Sequence, residues 1–127
     1  MFNLQVKVVI AAKNPKQLAD FYARVINGEV IIGEKGVHYC VLNESGTQIQ
    51  LYRPSRNFEN QPKSKALSFC IESKQSEEPL REIDNWLKKM ISYGAIEIEK
   101  PSMKNFGAEV WLKDPDGNYF LIVVPTK

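Results

Sequence analysis

The chain has a single histidine, His38, and two cysteines, Cys40 and Cys70. Neither cysteine belongs to a Cys-x-x-Cys pair, so no zinc-ribbon or thioredoxin-type motif is present. Each sits in a strand-like apolar run, where a free thiol packs as a small hydrophobe. A disulfide would need those two strands to be adjacent. No stretch approaches the ~20 consecutive apolar residues that a membrane span requires. The N-terminus has no charged segment leading into an apolar run, so no secretory signal is expected and a cytoplasmic location follows by default. An excess of one charge is missing too: 17 Lys and Arg face 15 Asp and Glu, for a net charge of +2. That balance leaves no electrostatic footprint for nucleic acid or an anionic membrane. The densest basic spot, Lys88-Lys89, reads as the wet face of a helix. No nucleophile elbow surrounds Ser45, Ser55 or Ser102. A Ser-His-acid triad would have to recruit His38, and nothing around it favours one. Gly33-Glu34-Lys35-Gly36 is too short to cradle a phosphate.

What remains is a chain of 127 residues, 43% hydrophobic, the size of one ordinary domain with a real core. Leu4 to Ala11 alternates as a strand, with Leu4, Val6, Val8 and Ile10 on one face and Gln5, Lys7, Val9 and Ala11 on the other. Asn14-Pro15 opens a helix, Asn14 as N-cap and Pro15 in the first helical position. Leu18, Phe21, Tyr22, Val25 and Ile26 form its buried stripe, and Asn27-Gly28 stops it. Strands follow at Val30–Ile32, Val37–Leu42 and Gln48–Tyr52. The polar stretch 54–65 reads as a linker. The pattern then repeats: a strand over Ala66–Ile71, then a helix from Ser76 to about Tyr93. Leu80, Ile83, Leu87, Met90 and Ile91 form the second stripe, with Trp86 beside it as packing. Three more strands lie at Ile96–Ile98, Ala108–Leu112 and Tyr119–Val124. Asp114-Pro115-Asp116-Gly117-Asn118 is a tight turn, with Gly117 free to take a positive φ.

Two βαβββ modules, about 3–53 and about 66–125, thus form an internal repeat inside one domain, 1–127. The fold class is α+β, a cupped mixed sheet with both helices on its outer face.

Asn14-Pro15 leading to Phe21-Tyr22 and on to Ile26-Asn27-Gly28 resembles the first helix of vicinal-oxygen-chelate proteins, the glyoxalase, bleomycin-resistance and extradiol-dioxygenase superfamily. Trp111-Leu112-Lys113-Asp114-Pro115-Asp116-Gly117-Asn118 resembles the closing hairpin of that family, and Asn105-Phe106-Gly107 the aromatic-Gly pair before it. The likeness spans essentially the whole chain.

Active members of the family hold a metal ion at four positions. Counted from the matched motifs, these fall on Lys7, Gln50, Ala66 and Leu121. A divalent ion needs deprotonated nitrogen, oxygen or sulfur donors. A lysine carries the wrong charge, Ala66 and Leu121 have no donor atom, and Gln50 offers one neutral carbonyl. No metal and no cofactor are therefore expected, and Lewis-acid chemistry is disfavoured. His38 and Cys40, at i and i+2 on one strand, are too few for a separate site.

The i±2 rule then names a wall. It comprises Lys7, Gln50, Tyr52, Ser68, Trp111 and Tyr119, together with either Tyr39 or the pair His38 and Cys40. Aromatic planes with a few hydrogen-bonding groups suit a planar or amphipathic organic ligand. The leading expectation is a metal-independent small-molecule binding protein, with the ligand held in a cavity of the cupped sheet. The alternatives are a metal-independent isomerase or lyase, with Lys7 or Tyr119 as acid or base, and a protein-interaction module. The resemblance further implies a homodimer, in keeping with open sheet edges.

Overall fold

A computed structural model describes residues 4–54 and 63–127. The expected linker at 54–65 lies largely outside them. The chain divides into two compact units, one within 1–61 and one within 62–127.

The first unit runs β1 (Val8–Ala11), α1 (Pro15–Val25), β2 (Glu29–Ile32), β3 (His38–Leu42) and β4 (Gln48–Tyr52). Its four-stranded sheet has the order β1-β4-β3-β2, with β1 parallel to β4 and the other pairs antiparallel. Alternation decides what each face buries. Tyr39, Val41, Ile49 and Leu51 are buried on the side where α1 packs. Helix α1 answers with Leu18, Ala19, Phe21 and Tyr22. The Asn14 side chain accepts a hydrogen bond from the Gln17 N–H at 3.1 Å, so the cap read from the sequence is real. At the far end Asn27, not Gly28, takes the left-handed conformation, at φ 54°. Gly28 serves close approach instead: a Cβ there would sit 2.8 Å from the Leu42 carbonyl oxygen.

The second unit runs β5 (Cys70–Glu72), α2 (Pro79–Tyr93), β6 (Ile96–Glu97), β7 (Ser102–Lys104), β8 (Gly107–Lys113) and β9 (Tyr119–Pro125). Its sheet has the order β5-β9-β8-β6, with β7 also paired to β8. Parallel β5–β9 mirrors parallel β1–β4, which is the repeat seen in space. Ala108, Val110, Leu112, Phe120, Ile122 and Val124 are buried on the α2 side. The stripe of α2 is narrower than its periodicity implies. Ile83, Leu87 and Met90 are buried, whereas Leu80 and Ile91 remain exposed. The helix also begins later than Ser76, because Ser76 is held in a bridge to Thr126. Gly94 ends it in the left-handed conformation.

Three strands depart from the alternation pattern. Residues 4–7 do not join β1; with Val8 opposite Ile49, residues 4–6 would run alongside the turn at Asn43–Thr47 rather than along β4. Leu4 and Val6 are consequently almost fully exposed. The strand expected over Ala66–Ile71 starts at Cys70, although the Phe69 carbonyl already accepts a hydrogen bond from the Leu121 N–H at 3.1 Å. Strand β7 has no apolar periodicity, yet it forms as the hairpin partner of β8.

Candidate functional site

Each sheet has one helix-covered face; Gln50, Tyr52, His38 and Cys40 in the first unit, and Trp111 and Tyr119 in the second, lie on the other. In the first unit the register sets Val9 beside Gln50, Gln50 beside Cys40, and Cys40 beside Ile31. One step along, Ala11, Tyr52 and His38 form a second row. Gln50, Tyr52, His38 and Cys40 are all half-buried. His38 Nδ1 lies 3.9 Å from Glu34 Oε2.

The open choice on β3 is now made. His38 and Cys40 share the face of Gln50 and Tyr52, whereas Tyr39 turns to the helix side and is only 4% exposed. Its hydroxyl accepts a hydrogen bond from the Gly36 N–H at 2.9 Å, which ties down the turn before β3. Tyr39 is therefore corrected from wall to core. Lys7 precedes β1 and is exposed.

The helix-free face of the second unit carries the aromatic groups. Trp111 pairs with Leu121 and Leu121 with Cys70; one row along, Lys113 pairs with Tyr119. Trp111 and Tyr119 are thus diagonal neighbours on one face, within reach of a common ligand. The Lys65 ammonium lies 4.8 Å from the Trp111 ring centroid and 5.7 Å from that of Tyr119. Lys113 lies 4.9 Å from the Tyr119 ring on its own account. The Ser68 hydroxyl is buried and has no hydrogen-bond partner among the described residues. A buried hydroxyl of that kind needs a water or a ligand atom.

Two devices hold Trp111 in place. Its backbone N–H donates to Glu99 Oε1 at 2.9 Å, where β8 runs between its pairings with β6 and β7. The turn after β8 is closed by Asp114, which is fully buried. Asp114 Oδ1 accepts from the backbone N–H groups of Asp116 and Asn118, each at 2.9 Å. Its Oδ2 accepts from Asn118 Nδ2 at 2.8 Å.

Lys65, Lys113 and Glu99 were not among the residues singled out from the sequence. Lys113 was within reach of that reading, since it stands two positions from Trp111 and period-2 alternation puts both on one face. Glu99 gave no such signal, because it acts through a side-chain bond to another strand's backbone.

Lys7, Gln50, Ala66 and Leu121, the positions that the resemblance assigns to a metal, offer a divalent ion one neutral carbonyl and no anionic or imidazole donor. Register moves the strand neighbours: Val9, not Lys7, lies beside Gln50, and Cys70, not Ala66, lies beside Leu121. Both offsets are even, so the face is unchanged while the donors differ. Val9 adds none, and Cys70 contributes one thiol next to Leu121. Among the described residues no three His, Cys, Asp or Glu side chains come together in a way that could hold an ion.

Cys40 and Cys70 are both free. Partial burial pushes the Cys70 thiol above the usual thiol range, with the carboxylates of Glu72 and then Glu109 adding to the effect. A raised value means less thiolate at any given pH, so alkylation by iodoacetamide should reach half its limiting rate at higher pH than for a simple thiol. Glu72→Gln should move that midpoint down. A midpoint that stays put would show that Glu72 does not act on the thiol.

The strand–helix–strands order of each unit (three strands after the helix in the first, four in the second), the parallel pairing of its first and last strands, and one helix per sheet match the vicinal-oxygen-chelate fold, that of glyoxalase and bleomycin-resistance proteins. Among solved structures, a glyoxalase/bleomycin resistance protein from Albidiferax ferrireducens is similar at 16% identity and a TM-score of 0.67, covering 96% of this chain and 98% of that one. The fosfomycin resistance protein FosX of Listeria monocytogenes matches at 16% identity and a TM-score of 0.73, over 99% and 96% of the two chains. A protein from Agrobacterium tumefaciens matches at 11% identity and a TM-score of 0.76, over 98% and 100%. No protein-family profile and no curated protein matches the sequence. Among the described residues no helix is long and apolar enough to cross a membrane.

Proposed function

We propose that this chain is a metal-independent small-molecule binding protein whose ligand is a planar or amphipathic organic molecule. One observation carries the reading. Trp111 and Tyr119 lie diagonally on the helix-free face of the second sheet, and two residues before β5 the Ser68 hydroxyl is buried without a hydrogen-bond partner among the described residues. Flat apolar rings with one convergent polar atom are what a small organic ligand needs. The donor chemistry at Gln50, Leu121 and their register neighbours supports the metal-free part.

The test uses the purified, untagged chain and naphthalene-based probes, with binding read by calorimetry. Saturable binding should persist unchanged after exhaustive treatment with a chelator. Trp111→Phe should retain it, and Trp111→Ala should weaken it about tenfold or more, since an aromatic contact contributes about 0.5–1.5 kcal/mol beyond its buried area. The area term adds to that figure. Loss of binding on chelation, or a stoichiometric transition metal in the untreated protein, would sink the proposal.

A further inference from the structure

We propose, resting on the binding role just described, that the ligand of the second unit is anionic: a planar group bearing a carboxylate, sulfonate or phosphate. Its ring would lie against Trp111 and Tyr119, and its charge between Lys65 and Lys113.

Three lysines surround this end of the face, and they differ. Lys63 is spoken for: its ammonium meets Asn118 Oδ1 at 2.8 Å and Asp116 Oδ2 at 3.5 Å. Neither Lys65 nor Lys113 is in an ion pair among the described residues. Both ammonium groups rest instead on the Tyr119 ring, at 5.7 and 4.9 Å from its centroid. A ring face is a weak partner for one cation, and two cations on one ring repel each other. An anion arriving between them relieves that repulsion and gains two charge-assisted hydrogen bonds.

The acidic groups of the same face are too far away to do this. Glu109 is four positions from Lys113 along β8, and Glu72 shares the Glu109 row through Val123. At ~3.4 Å per residue that is roughly 13 Å. The Glu99 carboxylate accepts from the Trp111 N–H at the strand edge. The face is therefore graded, cationic at the hairpin end and acidic at the other, with Trp111 and Leu121 between. Lys65 is exposed and lies over Trp111. Its long stem lets the ammonium exchange the ring for an incoming carboxylate while the ligand's own ring takes the place over the indole.

The full chain carrying Trp86→Phe leaves Trp111 as its one tryptophan, so its fluorescence reports on this face. Three probes of equal shape are compared: 2-naphthoate, 2-naphthalenemethanol and 2-naphthylmethylammonium. Naphthoate should bind at least tenfold tighter than the alcohol, and the ammonium probe most weakly. In the Lys65→Gln/Lys113→Gln double variant the advantage of naphthoate should collapse to within threefold. Added salt should weaken naphthoate and leave the alcohol unaffected. Equal affinity for naphthoate and the alcohol in the parent chain would overturn the anionic inference and leave the binding role standing. A naphthoate preference that survives the double variant would also overturn it. If none of the three probes quenches Trp111, the binding role falls as well.

Discussion

Asp114→Ala should lower the unfolding free energy by about 3–5 kcal/mol, one of the larger losses expected from a single polar residue here. The Asp114 carboxylate is fully buried and accepts three hydrogen bonds, two from backbone N–H groups and one from the Asn118 amide. Hydrogen bonds to a charged group contribute about 1.5–3 kcal/mol each, and deletion leaves their buried partners unsatisfied. The three share one side chain, so their contributions do not simply add. Asp114→Asn keeps an acceptor for the two backbone donors but turns an amide N–H₂ toward Asn118 Nδ2, so it should lose less. Urea denaturation followed by circular dichroism measures both. A loss under about 1 kcal/mol for Asp114→Ala would show that the turn does not depend on this carboxylate. The consequence reaches the candidate site, because this turn sets the register that places Trp111 opposite Leu121 and Lys113 opposite Tyr119.

Gly107→Ala is expected to be comparably damaging. Gly107 opens β8 at φ +146°, and a Cβ there would stand 2.2 Å from the Val124 carbonyl oxygen, 2.7 Å from Pro125 Cα and 2.9 Å from the Thr126 nitrogen. All three are backbone atoms, so no side chain can swing aside. Relief requires β8 to part from the end of β9, where Phe106 accepts from the Thr126 N–H at 2.9 Å. Backbone strain of ~1–3 kcal/mol and an overpacking cost of ~1–3 kcal/mol together give a loss of roughly 2–6 kcal/mol. Gly46→Ala is the matched control. Gly46 has φ +88° but nothing within 4 Å of its would-be Cβ. Only the left-handed conformation is penalised there, at about 1–2 kcal/mol. Equal losses at the two positions would refute the steric account of Gly107.

Much of the fold was legible because its signals are local. Asn14-Pro15 capped and started a helix where expected, and Gly94 stopped one, since both act through their own backbone neighbourhood. The limits of β4 matched the alternation of Gln48–Tyr52 residue for residue. Strand ends were legible only where the partner strand happened to be equally long. Ala66–Phe69 alternates as well as Cys70–Glu72 does, but in the β5–β9 register Tyr119 falls opposite Ser68, so Ala66 and Leu67 have no β9 residue beside them. The site was legible to the same degree. Parity put Gln50 and Tyr52 on one face, and Trp111 and Tyr119 on another, yet it could not choose between Tyr39 and His38. That choice rests on which face α1 covers.

Taken alone, the order of residues determined the repeat, the two helices and the closing turn. All of these depend on spacing along one stretch of chain. Tertiary structure alone decided that Val9 lies beside Gln50 and Cys70 beside Leu121. It also decided that Tyr39 is core and that Lys65 reaches over Trp111. Strand register and cation–ring contacts join residues far apart in sequence, and no local periodicity encodes which distant partner fills the gap.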